Sequence, residues 1–143
     1  MTMSVARNVG KHPGRHTVCV TLPAVAAATA TQTNMIWIAP DAVQVVGVEV
    51  AAGAGVTGNN SNTKNLNLID AGTGAGTTEV GNLDLVTGTD LTAKTPRAIV
   101  DADAGTGAAF SLDAGDGLAL IVEKVGTGVA VPDLLVRITY RFN

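Results

Sequence analysis

The stretch AGDGLALIVEKVGTG, residues 114–128, admits two readings. Its glycines and Asp116 fit a loop that grips a phosphate or a metal ion, and they equally fit turns that bracket one very apolar strand. Residues 118–125 are largely apolar on both faces, as expected of a strand enclosed in a core. Gly115 to Gly117 and Gly126 to Gly128 then become turn residues that permit positive φ at its two ends.

The residues that follow support the strand. In 134–142 (LLVRITYRF), Leu134, Val136, Ile138, Tyr140 and Phe142 alternate with Leu135, Arg137, Thr139 and Arg141. That is the period of a strand with one buried face. The intervening VGTGVAVP, residues 125–132, has the length of a hairpin loop.

Working towards the N-terminus, the signal stays β. Residues 16–22 alternate His16, Val18, Val20 and Leu22 against Thr17, Cys19 and Thr21, and MIWIA (35–39) is closed by Pro40 and Asp41. In 43–50 the apolar phase slips between Val45 and Val46 beside Gly47, which predicts a bulge keeping both halves inward. Shorter strands are expected at 66–69, around Glu79 and Val80, and at 83–87, 98–101 and 108–112. Pro96 puts the strand that follows it at an edge or a turn. The only helical candidate is LPAVAAATA (22–30), at most two turns, with Pro23 allowed at its start. The fold class is therefore all-β: a jelly roll or related antiparallel β-sandwich over residues 16–143, behind an extended N-terminal arm at 1–15.

Composition sets the class of function. The chain has 143 residues, 46% hydrophobic and only 15% charged, against about a quarter charged in ordinary soluble proteins. That balance predicts a surface partly buried against other chains. No apolar run reaches the roughly 18 residues of a membrane span, and no apolar export signal opens the chain. Before Asp41 there are three bases (Arg7, Lys11, Arg15), two histidines (His12, His16) and no acid. The remainder carries six bases and twelve acids. A basic arm on an acidic body fits an acidic partner surface; three charges without aromatics are too few for nucleic acid. Cys19 is the sole cysteine, expected to be a small buried strand residue.

Chemical readings fare poorly. DAGTGAGTT (70–78) lacks the Lys and following helix of a phosphate loop. DADAG (101–105) and DAGDG (113–117) lack the further acids and closing Glu of a calcium loop, so their Asp and Gly read as turns, the alternative being one weak structural calcium site pooled between them. His12 and His16 sit in or beside the arm, and His16 and Cys19 fall on opposite faces of one strand. Nothing marks Ser61 or Ser111 as an activated nucleophile. Trp37 is a lone aromatic rather than a stacking platform and is read as core or subunit interface. The expectation is a non-enzymatic protein without cofactor or metal.

The basic arm MTMSVARNVGKHPGRH, the Gly/Ala/Thr/Val-rich body and the ending AGDGLALIVEKVGTG…PDLLVRITYRF resemble the decoration (cement) proteins of tailed-bacteriophage capsids. The resemblance implies a structural virion protein on the outer capsid surface, made in the host cytoplasm. It further implies a homotrimer at threefold positions that clamps major capsid protein subunits. Arg7, Lys11, His12 and Arg15 would then meet the shell. Three alternatives remain: a host-glycan-binding head-fibre or tail module, a trimeric dUTPase whose motifs are not visible here, and a cell-surface or pilus-like β module.

Overall fold

A computed structural model describes residues 14–100 and 109–143. Arg7, Lys11, His12 and the 101–105 loop lie outside the described residues. Those described form nine strands and no helix: β1 (His16–Leu22), β2 (Gln32–Ile38), β3 (Val43–Ala52), β4 (Thr63–Gly72), β5 (Thr78–Asp84), β6 (Arg97–Ala98), β7 (Phe110–Leu112), β8 (Gly117–Val125) and β9 (Leu134–Phe142).

All pairings are antiparallel, in two sheets. The first has the order β1-β9-β3-β6, with β7 also on β3, and the second the order β2-β8-β4-β5. Pairs nest from the outside in: β1 with β9, β2 with β8, β3 with β6 and β7, β4 with β5. That is a long hairpin rolled into two sheets, the jelly-roll arrangement. β6 and β7 lie against the two halves of β3, so the two short strands expected at 98–101 and 108–112 are parts of one interrupted edge.

The side chains of β3 and β9 predicted inward form the core together with residues of β4 and β8. Val43, Val45, Val48 and Val50 of β3 pack with Leu66 and Leu68 of β4, Leu118, Leu120 and Val122 of β8, and Leu134, Val136 and Ile138 of β9. Val46 is the extra residue in β3, where the register slips between Val45 and Gly47, so the bulge rescues the inward phase on both sides. A second bulge between Met35 and Trp37 in β2 turns both Ile36 and Trp37 towards the core. Trp37 meets Tyr140 of the opposite sheet at a ring separation of 4.7 Å. Tyr140 also stacks on His16 at 5.4 Å, and Phe142 packs edge-on against both. This cluster ties the start of β1 to the end of β9, directly behind Arg15.

Four expectations need correction. Residues 125–132 are no hairpin: β8 is flanked by β2 and β4, and β9 by β1 and β3. Both edges of each strand are occupied, so the link crosses between sheets. Residues 22–30 are not helical. Val25 and Val131 exchange hydrogen bonds of 2.7 and 2.8 Å, and only a turn from Ala26 O to Thr29 N remains; extended pairing overrides the alanines' propensity. Cys19 is exposed, because the alternation that buries Val18 and Val20 aims it outward. The strand expected at 83–87 instead runs Thr78–Asp84, since β4 continues to Gly72 and draws residues 78–82 into pairing.

Lys64 was not anticipated. It points inward from β4 and is fully buried, with its ammonium donating to Thr29 O. Lys124 donates to the neighbouring Ala28 O at 3.4 Å. Burial, then the Lys124 charge, lowers the Lys64 pKa below its ordinary value. The two lysines anchor the β1–β2 connection across the end of the second sheet.

Candidate partner-binding surface

The outer face of the first sheet is built by the alternation that makes the core. β9 turns Leu135, Arg137, Thr139 and Arg141 outward, and β1 does the same with Thr17, Cys19 and Thr21. The register lines up Cys19, Arg137, Glu49 and Ala98 across four strands. Parallel rows hold Thr21, Leu135 and Ala51, and Thr17, Thr139 and Gly47. Small side chains in these rows make a flat surface on which the arginines lie extended.

Arg137 Nε donates to Glu49 Oε2 at 2.8 Å, and its Nη2 reaches the same oxygen. Arg141 Nε donates to Gln44 Oε1 at 2.7 Å. These cross-strand contacts hold both guanidinium groups against the sheet and leave further N–H donors for a partner. A recess of about 350 Å³ lies over Gly47, bordered by Arg15, Glu49, Ala98, Arg137 and Thr139. Leu135, 45% exposed, stands between two smaller hollows beside Pro96 and beside Asp133. Arg15, Arg137, Arg141 and Lys94 against Glu49 and Asp133 make this face cationic on a chain whose net charge is −3.

The outer face of the second sheet has the opposite sign. Glu123, Asn65 and Asp84 share one row, and Glu79 sits opposite Ile69 on the same face. Asn67 donates to Glu123 at 3.1 Å and Asn82 to Glu79 at 3.2 Å. No base occupies an outward position of these four strands. Burial, then the Glu123 carboxylate, raises the Asp84 pKa above its ordinary value. Asn65 Oδ1, in the same row, is buried without a hydrogen-bond partner among the described residues.

A prediction follows from Asp84. A carboxyl whose pKa is higher folded than unfolded destabilises the fold when ionised, so its cost is present at neutral pH and vanishes below the ordinary carboxylate range. Asp84→Asn removes that charge and offers an amide donor in the row of Asn65. The variant should melt higher than wild type at pH 7 by less than about 1 kcal/mol, since the site is partly solvated. The gain should shrink to nothing near pH 3. Thermal melts across that range check it.

Of the four arm residues singled out for partner binding, Arg7, Lys11, His12 and Arg15, only Arg15 is among those described, and it joins the cationic face. Arg137 and Arg141 were legible as outward-facing but not as its partners, because the sequence does not say that β9 lies between β1 and β3. The glycine loops take structural roles. Gly115, Gly126 and Gly128 have φ of +89°, +61° and +75°, whereas Gly117 begins β8 beneath Met35. Asp70 Oδ1 accepts from Gly72 N, and Asp116 Oδ2 from Asp113 N, so both carboxylates close their own turns. Among the described residues, no group of three or more His, Cys, Asp or Glu side chains is placed to hold a metal.

No protein-family model matches the chain, and no curated protein matches it in sequence. Among solved structures, a chain of the cyanophage Pam1 capsid asymmetric unit is similar, with a TM-score of 0.58 and 19% identity. The match covers 92% of this chain and 86% of that one. At that identity, what the two share is the fold.

Proposed function

We propose that this chain is a structural virion protein that binds the outer surface of a phage capsid and stabilises contacts between major capsid subunits. The observation that carries the reading is the one-sided charge of the sandwich. The cationic face of β1, β9 and β3 is continuous with Arg15 at the root of the basic arm, while the body is otherwise acidic. The fold shared with a chain of a phage capsid asymmetric unit is consistent with it. Arginine on a flat face of small residues suits partner recognition, since arginine is enriched and lysine depleted at interfaces. On a shell, many copies acting together turn modest contacts into firm attachment. A trimer at threefold positions suits such a clamp, and we assign Arg7, Lys11 and His12 to further contacts with the shell. Binding needs no catalytic residue.

The test is co-sedimentation with capsids that lack this protein. Wild type should pellet with them, and Arg137→Glu/Arg141→Glu should weaken binding about tenfold or more, because reversal sets like charges against an acidic surface. Removal of residues 1–13 should weaken it further and flatten its salt dependence. Undiminished binding by both variants would refute the reading.

A further inference from the structure

The arginine face departs from the most stable choice of residue at two places. The first is Gly47, in the middle of β3. A glycine inside a strand loses backbone entropy on folding and has no side chain to pack. Its backbone is not left-handed, so its conformation does not call for glycine. Nor does the adjoining bulge, whose extra residue is Val46; bulges that require glycine hold it at positive φ. Among the described residues, no atom lies within 4 Å of a Cβ placed there. The missing side chain leaves the floor of the recess of about 350 Å³.

The second is Lys94, the reverse case. It is the third residue of a turn in which Thr95 N donates to Thr92 O at 3.1 Å, and its φ is +59°. Such a turn ordinarily places Gly or Asn there, because a Cβ is strained at positive φ. Strain of this kind gathers at sites where a side chain has a task. Lys94 is exposed and borders a hollow of about 310 Å³ with Leu135 and Asp133. Its ammonium pairs with no described residue. The hollow reaches Ala51, four residues beyond Gly47 on β3 and roughly 13 Å away at the rise of a strand.

Charge selects the occupant. Over Gly47 stand the guanidinium groups of Arg15 and Arg137 and the Thr139 hydroxyl, all able to donate. Glu49, the acid beside them, is already held by Arg137, whereas Arg15 pairs with no described residue. We propose that the shell meets this face with an acidic segment, one carboxylate seated over Gly47 between Arg15, Arg137 and Thr139 and another at Lys94. The inference rests on the capsid reading above and names the chemistry of the partner.

Stability and binding should move in opposite directions. In thermal melts of the full chain, Gly47→Val and Lys94→Gly should each unfold at or above the wild-type temperature, since a strand gains a β-branched side chain and a turn loses its strain. In co-sedimentation with capsids that lack this protein, each should bind about fivefold more weakly or worse. A lower melting temperature for either variant would show that the fold itself needs the residue. That result, or undiminished shell binding by either variant, would overturn the proposal. The carboxylate chemistry is read without capsids: hexaglutamate in excess should shift the amide resonances of Gly47, Thr139 and Lys94, and no shift at these positions would also overturn it. Shell binding lost by Arg137→Glu/Arg141→Glu but kept by Gly47→Val and Lys94→Gly would leave the capsid reading standing and sink this inference alone.

Discussion

Leu120→Ala is expected to cost about 2–5 kcal/mol of folding stability, lowering the melting temperature by roughly 6–15 °C in a chain of this size. Leu120 is fully buried at the middle of β8, opposite Asn34 on one side and Leu68 on the other. Truncation removes apolar area from the centre of the sandwich, and two sheets locked by other contacts cannot collapse onto the void. Against a total stability of about 5–15 kcal/mol, that loss is large. Its neighbour supplies the control. Ile121 is equally apolar but faces outward, beside Thr33 and Asn67, and is only half-buried. Ile121→Ala should cost about 1 kcal/mol or less. Chemical denaturation of the pair measures the difference. Equal losses would mean that the outer face of the second sheet is as tightly covered as the core.

That contrast marks what was readable beforehand. Alternation identified β1, β3 and β9 and their inward residues, because burying one face imposes a period of two; β8 was legible only as a run apolar on both faces. The slip at Val45–Val46 was legible for the same reason: only a bulge keeps Val43, Val45, Val48 and Val50 all facing inward. Pairing partners were not legible. Whether β8 and β9 form a hairpin or separate into two sheets depends on which edges other strands already occupy, a long-range property that eight loop residues do not encode. The candidate surface suffered from this. Glu49 is far in sequence from Arg137 and Arg141, and the three join Arg15 in one patch only when β9 inserts between β1 and β3. Lys64 was hidden differently: its neighbours read as polar, and nothing local announces that its ammonium reaches Thr29 O.

The glycines that first raised the question of a phosphate or metal site give the sharpest test of their structural role. Gly128→Ala is expected to destabilise the protein by about 2–4 kcal/mol, from two sources. Its φ of +75° is a conformation that costs an L-residue about 1–2 kcal/mol. A Cβ there would also lie 2.2 Å from Ala27 O, a backbone atom that cannot rotate away. The β1–β2 connection must move to make room, and that loosens the Lys124 contact with Ala28 O and the Val25–Val131 bridge beside it. Gly115→Ala separates the two contributions. Its φ of +89° is similarly unfavourable, but nothing lies within 4 Å of a Cβ at that position, so only the strain of about 1–2 kcal/mol should appear. Urea titrations of both variants decide the matter. A loss at Gly128 no greater than at Gly115 would show that the β1–β2 connection yields freely, and that the loop end of the sandwich is held by something other than this close approach.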